Sequence, residues 1–267
     1  MKNQINYLFK ITCPFVFVGI ILLYSCKKDN TEELAPTTPV NAPTGTFMFH
    51  LHTYLDLNEV DLYGITYTTT AGRNISLSMA QLYISDIQLV KLDGSTYTVS
   101  GKKLLKVLEA DTYLVGNVPV GNYKTIRFKV GLDASSNQLN PTATADSIVL
   151  NRPAMWFGNT AQPDGYVFLN VQGMIDTSTT MSGTPVPFSY KIGTNANYKQ
   201  VVMPDKNFSV VENQVTFDHL WVDYNQLFTG IQLNQNSNLF VTTVADNSTA
   251  LATTIVNNIP AMFVYEP

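Results

Sequence analysis

The chain contains three histidines, His50, His52 and His219, and they are the side chains with the clearest chemistry. His50 and His52 stand two apart in residues 47–53, whose alternation predicts a β-strand. Both imidazoles then leave the same face, with Cα atoms roughly 6.5 to 7 Å apart. A metal ion can bridge two such groups, and imidazole suits copper, zinc or nickel. His219 lies in a second predicted strand, 214–222, in step with Phe217 and Trp221. If that strand neighbours the first, three imidazoles converge. If it does not, the first pair is solvated and His219 is a satisfied core histidine.

Other constellations are sparse. No G-x-S-x-G elbow surrounds a serine, and phosphate-binding glycine loops and H-E-x-x-H helices are missing from the sequence. Asp133 and Asn137 can offer oxygens to calcium, but the full spaced set of acidic residues is not there, so a turn built on Asx hydrogen bonds is expected instead. No spacing of carboxylates promotes a glycosidase pair. The chain is therefore expected to be non-enzymatic. Sixteen Lys and Arg against twenty Asp and Glu give a net charge of -4, with no long basic run, which excludes a nucleic-acid footprint.

The elements that must position these residues are strands. From residue 46 onward, segments rich in Val, Ile, Thr, Tyr and Phe recur between Gly, Asn, Asp and Pro clusters, the pattern of an all-β sandwich. Strands are expected at 47–53, 64–70, 78–92, 97–100, 123–132, 166–175, 188–191, 200–204, 208–211, 214–222 and 240–243. Within the long third strand the inward face must change partway, and a bulge near Asp86 accounts for that. Asp93-Gly94 is a hairpin signal. Residues 222–228 suit a turn or two of helix, and Asn247-Ser248 can cap a short C-terminal helix that Pro260 stops. The predicted fold class is an antiparallel β-sandwich with that one helix.

The N-terminus reads as targeting. Lys2 and Lys10 precede an apolar run over 11–24, the length of a signal-peptide core and too short for a comfortable membrane span. The run ends in Leu23-Tyr24-Ser25-Cys26, which resembles the lipobox of bacterial lipoproteins, whose cysteine thiol receives a diacylglyceryl group. Cys13 would be removed with the signal, leaving Cys26 lipidated and no intramolecular disulfide. Residues 1–25 are then a signal peptide, 26–45 a Pro- and Thr-rich tether, and 46–267 the β domain. The expected location is the outer membrane, with the domain on the cell surface or the periplasmic face.

Four ordered segments carry a more specific resemblance. They are Phe49-His50-Leu51-His52; the run from Gln81 to Leu89, close to LxYYISNIxL; Val118-Pro119-Val120-Gly121-Asn122-Tyr123 with Ile126, Phe128, Gly131 and Asp133; and Ala154-Met155-Trp156 followed by Gly165-Tyr166-Val167-Phe168-Leu169 and Gly173. Their order is similar to that of the MbnP-like, methanobactin-associated copper-binding domain. The resemblance implies an all-β sandwich and copper held by histidines: His52 with His50 as primary ligands, and His219 or Met155 as auxiliary donors. Some members carry an oxidised tryptophan near the site, and Trp156 falls in the matching segment. A second family histidine stands before Ile-Gly, where this chain has Lys191, and a family acidic residue is replaced by Gln172. The implied role is copper binding, or a diverged relative that has lost the site, with the membrane, reached through Cys26, and a copper ion or chelate as partners. The alternative is a surface module that recognises glycan or protein through its 14 Tyr, 14 Phe and two Trp, most of which are expected in the core.

Overall fold

Strand β1 (Thr44–Leu55) alternates strictly between buried and half-buried residues. Phe47, Phe49, Leu51 and Leu55 are fully buried, while Thr46, Met48, His50 and His52 occupy the opposite face. The computed structural model describes residues 42–140, 149–158 and 165–267. The signal segment, Cys26 and the tether as far as Asn41 lie outside the described residues, and β1 already begins at Thr44.

After β1 come β2 (Asn58–Glu59), β3 (Thr66–Thr68), β4 (Asn74–Lys91), β5 (Thr96–Thr98), β6 (Lys103–Lys106), β7 (Thr112–Pro119) and β8 (Gly121–Val130). A one-turn helix α1 (Ala134–Asn137) precedes β9 (Val167–Ile175), β10 (Val186–Gly193), β11 (Lys199–Val202), β12 (Phe208–Val210), β13 (Val215–Asp223) and β14 (Phe240–Val241). Helix α2 (Ala250–Asn258) and strand β15 (Phe263–Tyr265) follow. Among the described residues no helix is long and apolar enough to cross a membrane.

The strands form two sheets. One runs β15-β13-β1-β2, with β7 also pairing β1; the other runs β11-β8-β4-β9-β10-β14, with β3, β5 and β6 on β4 and β12 on β8. Their buried faces meet through rings: Phe49 of β1 lies 5.9 Å from Phe128 of β8 between centroids, and Phe128 lies 4.9 Å from Phe263 of β15. This is the expected all-β sandwich with a short C-terminal helix. The sheets are mixed, however, because β1 and β13 run parallel, as do β10 and β14. A parallel pair needs a long crossover, and here most of the chain separates β1 from β13.

The bulge is where the alternation puts it. Asp86 adopts φ of 50°, and the β4–β8 register shifts between Ser85 and Gln88. Leu82 and Ile84 before it and Ile87 and Leu89 after it all enter the main core. At the 93–94 hairpin only Gly94 takes a positive φ, 87°. The helix cap differs from expectation: the Thr249 hydroxyl accepts from the Ala252 amide at 3.3 Å. Asn247 is buried instead, accepting from the Gly193 amide at 2.8 Å and donating to the Thr243 and Lys191 carbonyls. Most of the largest fully buried side chains are aromatic, among them Tyr83, Tyr123, Tyr166, Tyr190, Tyr224, Phe47 and Phe49, so these aromatics form the core and not a recognition surface.

Candidate metal centre

β1 and β13 run in register from Thr46 opposite Val215 to Tyr54 opposite Asp223. Their inward residues, such as Leu51 and Leu220, are fully buried, which forces the alternate positions onto the outer face of the sheet. On that face His50 stands opposite His219, and one row further His52 stands opposite Trp221. The convergence that the sequence left conditional is therefore present. All three imidazoles are half-buried, and one nitrogen of each lies within 4.8 Å of the others. Nδ1 of His50 and Nδ1 of His219 are 2.9 Å apart. Two donors on a tetrahedral ion with bonds near 2.0 Å are separated by about 3.3 Å, so a small outward shift lets both nitrogens hold one ion.

Two carboxylates adjoin the rings, one behind His52 and one beside the inner nitrogen of His219. β2 pairs back onto β1, placing Glu59 opposite Tyr54, and the Glu59 carboxylate accepts from His52 Nδ1 at 2.5 Å. That proton assignment leaves the lone pair on His52 Nε2, which is buried and has no hydrogen-bond partner. An orphaned acceptor beside two facing nitrogens fits a cation. On the other side, Glu266 Oε2 lies 3.3 Å from His219 Nδ1, and the Glu266 amide donates to the His219 carbonyl at 3.1 Å. Glu59, on the ring nitrogen opposite the free Nε2, is where a carboxylate orients an imidazole ligand and makes it more basic, whereas Glu266 lies against the same His219 nitrogen that faces His50. Burial pushes the pKa of His50 below its ordinary value, the neighbouring His52 and His219 add to that, and Asp111 and Glu266 oppose it. A depressed pKa keeps the imidazole neutral, the form that a metal takes.

Other residues implied by resemblance lie elsewhere. Met155 and Trp156 are buried in a separate apolar cluster with Tyr83, Leu132, Tyr166 and Phe168, and the Trp156 indole donates to the Leu150 carbonyl at 3.2 Å. Met155 is thus no auxiliary donor to the histidines, and the tryptophan beside them is Trp221. Lys191 sits on β10 opposite Asn170, on the face away from the core residues Tyr190 and Ile192, in the sheet that does not carry the histidines. A histidine there would add no donor to this cluster. Gln172 belongs to the same sheet and donates to Asn170 at 2.8 Å. Asp133 caps α1, accepting from the Ser136 amide at 2.9 Å, and Asn137 bonds Asn195 and the Tyr166 amide, so the Asx-turn expectation stands over calcium. Cys26 lies outside the described residues.

Sequence reasoning missed Trp221, Glu59 and Glu266. Trp221 was within reach, since two residues after His219 in a strand means the same face. Glu59 and Glu266 depend on strand pairing that no local pattern shows.

A model of the MbnP family matches residues 44–246. Among solved structures the chain is similar to MbnP from Methylosinus trichosporium, at 17% sequence identity and a TM-score of 0.46, over 69% of this chain and 78% of that one. No curated protein matches the chain.

Proposed function

This chain belongs to the MbnP family, and on that premise we propose that it is a non-enzymatic copper-binding protein, exported and lipid-anchored at the outer membrane. The observation that carries the copper reading is the triad itself: facing Nδ1 atoms on His50 and His219, with the orphaned Nε2 of His52 beside them. An all-imidazole set suits copper among the borderline metals, and copper stands above zinc in intrinsic affinity for such sites. Copper is the cargo in this reading. The protein's part is to keep the His50 ring neutral through partial burial and to orient the His52 ring through Glu59. The anchor reading is supported by the apolar run over 11–24 and the lipobox-like stretch ending at Cys26.

The test is copper stoichiometry and Cu(I) competition titration on the full-length protein in detergent. One ion per chain is expected, and His50→Ala, His52→Ala or His219→Ala should each weaken binding by about 10- to 100-fold or more. Copper binding that survives all three substitutions unchanged would sink the assignment.

A further inference from the structure

The imidazole cluster occupies three corners of a four-cornered patch. Two adjacent rows of the parallel β1–β13 pair point outward, His50 with His219 and His52 with Trp221. Strands about 4.8 Å apart and rows roughly 6.5 to 7 Å apart make these four side chains neighbours on one face. The fourth corner is the indole of Trp221. Tyr54, one row further along β1, stacks on that indole with centroids 4.2 Å apart and planes 21° from parallel, which holds the ring in place. Its Nε1–H is buried and has no hydrogen-bond partner.

An indole N–H can only donate, and a buried donor left unmade carries a free-energy cost. The two orphaned atoms of the patch are chemically complementary: His52 Nε2 offers a lone pair to a cation, and Trp221 Nε1–H seeks an acceptor. Three imidazoles leave a four-coordinate ion with one open position. We propose that Trp221 donates its N–H to the exogenous ligand in that position, and that the site therefore takes copper together with a water oxygen or a small anion. The inference rests on the copper reading above and deepens it. The indole selects acceptor ligands, because a ligand presenting its own N–H or a positive charge would leave the Trp221 donor unmade.

The experiment uses the full-length chain in detergent, loaded with Cu(II) and titrated with sodium azide, whose charge-transfer absorption reports binding to the ion. Trp221→Phe keeps a ring to stack on Tyr54 and removes the donor. Copper affinity should change less than about threefold, while azide affinity should fall about tenfold. Azide binding as tight as in the unaltered chain would overturn the proposal. A second measurement does not depend on that variant folding. In Trp156→Phe the emission comes from Trp221 alone, since the chain has two tryptophans. One equivalent of Cu(II) should quench most of it, and unquenched emission with copper bound would count against the indole lining the site. If the unaltered chain binds no copper, the proposed function falls as well; if it binds copper but azide ignores the indole, this inference alone falls.

Discussion

Glu59 shows how a residue that never touches an ion can set its affinity. Its carboxylate accepts the hydrogen bond of the His52 Nδ1–H and so leaves the Nε2 lone pair for a ligand. Glu59→Gln should therefore weaken Cu(I) by about tenfold in a competition titration without moving the melting temperature by more than a few degrees. Lys106 is a different kind of residue. It is fully buried, and its ammonium donates to the Val107 and Ala110 carbonyls at 2.8 and 3.4 Å. Burial pushes its pKa down to about 8, against a partial pull upward from Asp111 and Glu109. The unfolded chain holds this proton up to an ordinary value of 10.5, so between about pH 8 and 10.5 it binds more protons than the native state. Native stability must then rise with pH across that window, by roughly 3 kcal/mol from this group. Lys106→Met should flatten the rise, measured by urea unfolding at pH 7 and pH 9.5; an identical slope in both proteins would show that the ammonium is solvated.

At the scale of elements, the strands differ in how much they declare themselves. β1 and β13 read clearly because buried apolar residues recur at every second position, Phe47, Phe49 and Leu51 in one and Leu220 and Val222 in the other, and β4 reads through its own bulge, where the apolar positions change parity at Asp86. β7 does not, because Gly116 and a register shift against β1 break its alternation. β2 and β15 are too short to show a period at all, yet they bring in Glu59 and frame Glu266. Close packing between β4 and β9 leads to a sharp prediction. A Cβ on Gly173 would lie 1.9 Å from the Ser76 carbonyl oxygen, with more of the β4 backbone just behind it. Gly173→Ala should cost about 3 kcal/mol or more, read as a lower urea midpoint, because backbone cannot step aside cheaply. Thr249→Ala removes the cap of α2 and should cost about 1 kcal/mol. A larger loss from the cap than from the glycine would contradict the packing described here.

For the whole molecule, the proposed lipid anchor has a consequence for stability: Cys13 would leave with the signal and Cys26 would carry the lipid, so the core and not a disulfide would hold the domain. Unfolding midpoints should match with and without reductant, and far-ultraviolet circular dichroism should be β-dominated. Cys26→Ser should release the protein from the membrane fraction or leave it as an unprocessed precursor; normal processing with unchanged membrane retention would end the lipoprotein reading. The sandwich class, the shared face of His50 and His52 and the bulge at Asp86 were all determined by the sequence alone. Side-chain direction and apolar period are properties of a few neighbouring residues, and they can be read wherever one face is buried. Only the tertiary structure decided that His219 stands opposite His50 across 169 residues, that Trp221 is the indole beside them and that Lys191 belongs to the other sheet. Those facts rest on which strands pair and in what register. A slip of one residue would turn His219 into the core and bring Leu220 to the surface, so the choice is made by the packing of both sheets together and leaves no local trace in the chain.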